Sequence, residues 1–287
     1  MTNVAVLTDS TVGLPESILD NLNIKTVAYY IHRGQEVLRD LVTIQREEFL
    51  RWMLTAKISP TTASPSPSDY LNAYEEFADK GAEEIISLHM SSKISGAYQA
   101  AKIAQTMLKA SNPRLHLVVI DTLNASMCQG WMVMEAARAA VTGLSLEQIT
   151  CMVKKMIPVS HMIQTADTLR YLYLGGRIGK AQSLLGSMLN IKPLIGLEAG
   201  EIVPLGKAHS RGQAYHQMAD MVAQAIGKGK VRIAYVHAGA QREVEKLKEL
   251  VETKVEVVES LFSEFSPALA VHSGPGTTGL CYYPVDN

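Results

Sequence analysis

Residues 84–120 read EIISLHMSSKISGAYQAAKIAQTMLKASNPRLHLVVI. A short apolar run stands at each end, Glu84 to Leu88 and Leu115 to Ile120, with the length and composition of a buried strand. Between them Ile94, Tyr98, Ala101 and Leu108 step by four, three and seven, which keeps one helical face inward from about Ile94 to Leu108. Strand, helix and strand in this rhythm predict parallel strands joined by a crossover helix. Val4-Ala5-Val6-Leu7 adds another strand, closed by the polar turn Thr8-Asp9-Ser10-Thr11. A helix is predicted over Leu146 to Met156, with Ile149, Val153 and Met156 on one side and Ser145 and Gln148 spaced as a capping box.

The texture changes near residue 158. Ile157-Pro158 closes a helix, and Ser160 to Gln164 reads as a new strand. Leu194 to Leu197 and Ile202 to Leu205 flank a hairpin with Ala199-Gly200 at its turn. An amphipathic helix follows, with Ala214, Met218, Met221, Val222 and Ala225 facing inward, and Gly227-Lys228-Gly229-Lys230 ends it. Ile233 to Val236 is a strand, and Val244, Leu247, Leu250 and Val251 mark another helix. The expected fold is α/β in two domains: a parallel-sheet domain over 1–157 and a second α/β domain over 158–287.

Composition narrows the function classes. Of 287 residues, 47% are hydrophobic and 19% charged, enough for a packed core and too apolar for wholesale disorder. Lys and Arg total 27 against 28 Asp and Glu, so no basic field favours nucleic acid. Cys128, Cys151 and Cys281 contain no Cys-x-x-Cys pair, which argues against a disulfide framework and a cysteine zinc site. The eight histidines show neither His-x-x-x-His nor His-Glu-x-x-His, so no metal is expected. Met1 to Leu7 lacks a positive leader start, and no apolar stretch approaches the roughly 18 residues of a membrane helix. A soluble cytoplasmic protein without stable membrane insertion is expected.

Two glycine motifs fail their own tests. Gly274-Pro275-Gly276-Thr277-Thr278-Gly279 matches Gly-x-Gly-x-x-Gly, but too few residues follow it for the helix and acidic residue of a dinucleotide site. The stretch Gly175 to Lys180 would need a glycine at Leu174 and a hydroxyl at Ala181 to be a phosphate loop. Its Gly175-Gly176-Arg177 reads equally as a site element or as a turn whose arginine pairs with a carboxylate. No Gly-x-Ser-x-Gly elbow is present. What remains is a set of hydroxyl-rich turns at strand ends: Asp9-Ser10-Thr11, Thr61 to Pro67, Ser91 to Gly96 and Asp121-Thr122. In an open α/β sheet, ligands sit beyond the carboxyl ends of the strands, where helix N-termini suit an anion. Hydroxyl residues there also serve as ordinary caps, and Ser66-Pro67 with Asp69 is explained by capping alone.

These pieces, in this order, resemble the DegV family of bacterial fatty-acid-binding proteins, which includes the lipid-binding subunit of fatty acid kinase. The resemblance rests on Asp9-Ser10-Thr11, Thr62-Ala63-Ser64-Pro65-Ser66, Ser91 through Ala101, Asp121-Thr122, Thr168 through Leu172, Gly175 through Ile178, Lys192-Pro193 and His272 through Gly276. It implies a two-domain α/β carrier that holds one long-chain fatty acid in an apolar tunnel between its domains. The carboxylate would be presented to a separate ATP-dependent kinase for acyl-phosphate formation, and the chain would have no cofactor and no catalysis of its own. Carried over by position, the head-group residues are Thr62, Ser92, Ser95 and His272, with Arg170, Arg177, Ser64, Gly96 and Gly274 bordering them. The assignments of Ser92 against Ser95, and of Arg170 against Arg177, stay open. Ala63-Ser64, Ala97 and the weakly basic His209-Ser210-Arg211-Gly212-Gln213 depart from the family pattern, and the last bears on docking of the kinase. The rival reading is a serine esterase or thioesterase using Ser92 or Ser95 with His272, for which no acid partner stands out.

Overall fold

The computed structural model describes residues 4–187 and 191–285; Met1 to Asn3, part of the stretch read above for a leader, lie outside them. In the first half the chain runs β1 (Val4–Asp9), α1 (Glu16–Asn21), β2 (Ile24–Val27), β3 (Tyr30–Arg33), β4 (Glu36–Arg39), α2 (Arg46–Thr55), β5 (Thr61–Ala63) and α3 (Pro67–Asp79). It continues through β6 (Glu84–His89), α4 (Ala97–Ser111), β7 (His116–Asp121), α5 (Ser126–Val141) and α6 (Leu146–Met156). One sheet has the order β2-β1-β6-β7 and is parallel throughout, with Val6 opposite both Ile24 and Ile86, and Ile86 opposite Val118. β6 is central and almost wholly buried, whereas β7 lies at the edge and is only partly covered.

Helix α4 begins at Ala97, three residues later than the expected Ile94. The amides of Ile94 and Ser95 both turn back to the Ser91 carbonyl, so Ser91 to Gly96 forms a separate turn ahead of the helix. The buried stripe is consequently Ala97, Ala100, Ala101, Ala104 and Leu108, with Tyr98 half-covered. A small antiparallel sheet, β4-β3-β5, sets Thr62 opposite Ile31. Its strands were not expected from the sequence.

The second half runs β8 (His161–Thr165), α7 (Arg170–Leu174), β9 (Lys192–Glu198), β10 (Glu201–Ala208), α8 (Arg211–Ile226), β11 (Lys230–His237), α9 (Gln241–Glu252), β12 (Glu256–Glu264), α10 (Pro267–Ser273) and β13 (Thr278–Val285). Its sheet has the order β10-β9-β8-β13-β11-β12, and only β11 and β12 pair in parallel. The β9–β10 hairpin turns on Ala199 and Gly200, both at positive φ (48° and 85°), the geometry of a tight two-residue turn. On α8 the buried face is Ala214, Tyr215, Met218, Ala219 and Val222; Ala225, expected inward, is exposed.

α5 joins the halves. Thirteen of its sixteen residues are buried. The Gln129 amide donates to Thr8 of β1 at 2.9 Å, and the Trp131 indole donates to the Cys281 carbonyl of β13 at 3.2 Å. Arg138 forms a bidentate pair with Glu259 of β12. One hydrophobic core therefore runs from Val4 through Trp131 to Tyr283.

Candidate functional site

A cavity of about 320 Å³ lies where the carboxyl ends of the parallel strands meet the second sheet. The loops after β1, β6 and β7 supply Thr11, Met90, Ser95 and Ser126, while β5 supplies Thr62 and Ala63. From the other side come Met162 and Gln164 of β8, Leu172 of α7, Leu197, Ile202 and the α10 face Ala268, Leu269, His272 and Ser273. Helix α10 owes its start to Ser266, whose hydroxyl accepts from the Leu269 amide, with Pro267 in the first turn. Buried Asp40 also accepts from the Ala268 amide at 3.0 Å and from the Ser10 hydroxyl at 2.6 Å, tying that first turn to the parallel sheet. Its carboxyl is pushed up to about 6 by burial, against the lowering effect of those bonds.

Polar side chains from both halves interrupt the apolar lining. Thr62 Oγ1 and His272 Nε2 lie 2.8 Å apart. Ser95 Oγ accepts from the Ala97 amide at 3.2 Å and pairs with the Tyr29 phenol. Burial, with Asp9 adding to it, holds that phenol protonated. Arg177 donates to the carbonyls of Gly175 (2.6 Å) and Ile94 (3.3 Å), so it braces main chain from both halves, not a carboxylate. The His272 imidazole is pushed down to about 4, first by burial and then by the Arg177 charge. It is neutral at pH 7, and its Nδ1 has no protein partner among the described residues. An anion placed here would meet hydroxyl donors, a neutral imidazole and a nearby guanidinium.

The structure brings Thr62, Ser64, Ser95, Gly96, Arg177 and His272 to this one cavity. It does not bring Ser92, whose amide donates to Asp121 and which faces an adjoining polar cleft. Arg170 is exposed at the start of α7 and lines neither space. Gly274 stays off the lining: at φ 80° it ends α10, and a Cβ there would meet the Tyr171 ring at 2.1 Å. Residues 274–277 of the glycine run thus make a helix-to-strand turn, and Gly279 lies within β13, paired with Val236 and Gln164. Neither serine of the esterase reading is hydrogen-bonded to His272, whose ring nitrogen is engaged by Thr62. Tyr29 was not expected; it stands in an apolar run with no motif around it. Among the described residues, no cluster of three or more His, Cys, Asp or Glu could hold a metal ion, and no helix is long and apolar enough to cross a membrane.

Fold and site together define an α/β protein with two main sheets and a small third one, built around an inner cavity of mixed apolar and polar lining. The chain belongs to the DegV family: the family profile, described as uncharacterised protein, DegV family, matches residues 3–285. A DegV domain-containing protein of Streptomyces coelicolor is 32% identical, covering 97% of each chain. One from Caldanaerobacter subterraneus is 29% identical over 98% of this chain and 99% of its own. Among solved structures, a fatty-acid-binding DegV family protein from Thermus thermophilus superposes with a TM-score of 0.92 at 30% identity, covering 99% of this chain and 100% of its own. DegV of Bacillus subtilis, described as a fatty acid binding protein, gives 0.87 at 27% identity, covering 99% and 100%.

Proposed function

We propose that this protein binds one long-chain fatty acid in the cavity, with its carboxylate against Thr62, Ser95 and His272 and Arg177 adding positive potential. The observation that carries this reading is the Thr62–His272 pair, which shares with Ser95 a cavity whose lining also includes Met90, Met162, Leu172, Leu197, Ile202 and Phe265. Burial of about fifteen methylenes contributes on the order of 12 kcal/mol, from which ordering of the flexible chain removes several. Apolar contact supplies the affinity, and the polar groups select an acid. The Thermus and Bacillus relatives, which bind fatty acids, support the reading.

The finer role is that of a cytoplasmic carrier that offers the bound carboxylate to a partner kinase for acyl-phosphate formation. Support comes from the cleft beside the cavity, which includes Lys93 and the Lys180–Glu201 pair (3.1 Å) and shares Ser95, Gly96 and Arg177 with it. The sequence contains no phosphate-loop spacing with which to hold ATP itself. Native mass spectrometry of the purified protein, before and after loading with palmitate or oleate, tests the binding. A one-to-one lipid adduct is expected, and an unmodified mass under both conditions would end the proposal.

A further inference from the structure

Most polar groups around the cavity are matched to partners, but among the described residues a few are not, and two of these stand together on the second-sheet side. Among the described residues, the Gln164 side-chain nitrogen has the Met162 thioether as its one hydrogen-bond partner, at 2.9 Å, and sulfur is a weak acceptor. The Ser273 hydroxyl is buried with no protein partner among the described residues. Both side chains line the cavity, and both line a further void of about 30 Å³ beside it, enclosed also by Met162, Leu172 and Ile202. Buried polar groups in folded proteins nearly always have partners, and leaving them unmatched is costly. A lining meant for a plain alkyl chain would do better with leucine and alanine at these two positions.

Ser273 directly follows His272, so their Cα atoms are about 3.8 Å apart. Both residues line the cavity from the last turn of α10, so a ligand whose carboxylate is held at His272 runs its first carbons past this end of the helix. Resting on the fatty-acid reading above, we infer that Gln164 and Ser273 form a second polar subsite for a hydroxyl group carried two or three carbons from the carboxylate, so that 3-hydroxy acids are preferred over unsubstituted ones. The Gln164 amide donates to that hydroxyl oxygen, and the hydroxyl in turn donates to Ser273 Oγ. Ser126 is the rival position. Its hydroxyl also has no protein partner among the described residues and it lines the cavity, but it comes from the opposite half at the start of α5.

The test compares dissociation constants of palmitate and 3-hydroxypalmitate for the wild type, Gln164→Leu, Ser273→Ala and Ser126→Ala, with thermal melts confirming that each variant is folded. The wild type is expected to prefer the hydroxy acid by about fivefold to tenfold, the net gain from the two added hydrogen bonds once the hydroxyl has left water. The ratio should fall to about one in Ser273→Ala and in Gln164→Leu. Equal affinities in the wild type would overturn the subsite while leaving the fatty-acid reading intact. A preference that survives in both variants, or that disappears only in Ser126→Ala, would overturn its placement. Binding of neither acid would instead remove the fatty-acid reading itself. Should Gln164→Leu fail to fold, Ser273→Ala alone decides, since it removes a single oxygen.

Discussion

The backbone of Gly175 lies against the imidazole of His272: a Cβ built on Gly175 would fall 2.2 Å from Nδ1 and 2.8 Å from Cε1. The glycine at the end of α7 thus lets α10 bring its histidine close enough to reach Thr62. Gly175 has φ −76°, which any residue adopts, so it is the space and not the backbone that requires glycine.

Gly175→Ala is expected to push the ring off Thr62, destabilising the fold by about 1–3 kcal/mol and weakening palmitate retention about tenfold. Its neighbour is the control. Gly176 sits at φ 67° with nothing near its missing Cβ, so Gly176→Ala should cost about 1 kcal/mol through the backbone alone and leave retention near wild type. Chemical denaturation and lipid-binding titrations on both variants check this. Equal effects on binding would show that the Gly175–His272 contact does not matter.

Ser95 and Ser92, three residues apart, should behave differently. Ser95→Ala and Thr62→Ala remove groups that face the cavity and should weaken fatty acid retention about tenfold with little loss of folding. Ser92→Ala should change it less than twofold, because that side chain faces the outer cleft. Unaltered affinity in both Ser95→Ala and Thr62→Ala would reject this placement of the head group.

His272 makes binding depend on pH. Its folded pKa is depressed to about 4 from the usual 6.5, so its stabilising contribution is complete above pH 6.5 and is lost as pH falls through 4. A carboxylate beside it favours the imidazolium and raises that pKa. Fatty acid binding near pH 6 should therefore take up protons. Calorimetry in buffers of different ionisation enthalpy measures the uptake, and His272→Gln should reduce it. Zero uptake in the wild type would place the carboxylate elsewhere.

Asp40 has the opposite sign. Its folded pKa lies at about 6 against 3.8 in the unfolded chain, so the stability it contributes is present below pH 3.8 and is lost as pH rises through 6. Compared with Asp40→Asn, the wild type should lose on the order of 3 kcal/mol between pH 4 and pH 7. Urea midpoints at the two pH values test the difference, and parallel shifts in both proteins would refute it.

What the sequence makes legible follows from locality. Val6 and Ile86 stand in short apolar runs whose strand character needs no tertiary information, and the capping boxes at Ser66–Asp69 and Ser145–Gln148 both form as spaced. The Ala199-Gly200 turn is likewise written in two residues. By contrast, α5 is covered on nearly every side, so it lacks the one-sided stripe by which helices are recognised. β3 and β5 carry His32, Arg33, Thr61 and Thr62, and short polar strands of this kind read as turns. In the site, Thr62 and Ser95 stand in hydroxyl-rich turns at strand ends that the sequence itself marks, whereas His272 joins them only through the family resemblance. Tyr29 and the Gly175–His272 approach are products of packing between segments far apart in the chain, which no local pattern records.

Trp131 hydrogen-bonds to one sheet from a helix that also braces the other, and this has a consequence for how the molecule comes apart. The two lobes share the core built around α5, while the second sheet also packs a cluster of its own, including Met218, Tyr235 and Leu247, under α8 and α9. Heating should therefore melt the protein in a single calorimetric peak, without a step for each lobe. The α5 amides should be the last to exchange with deuterium, released only when the whole chain lets go.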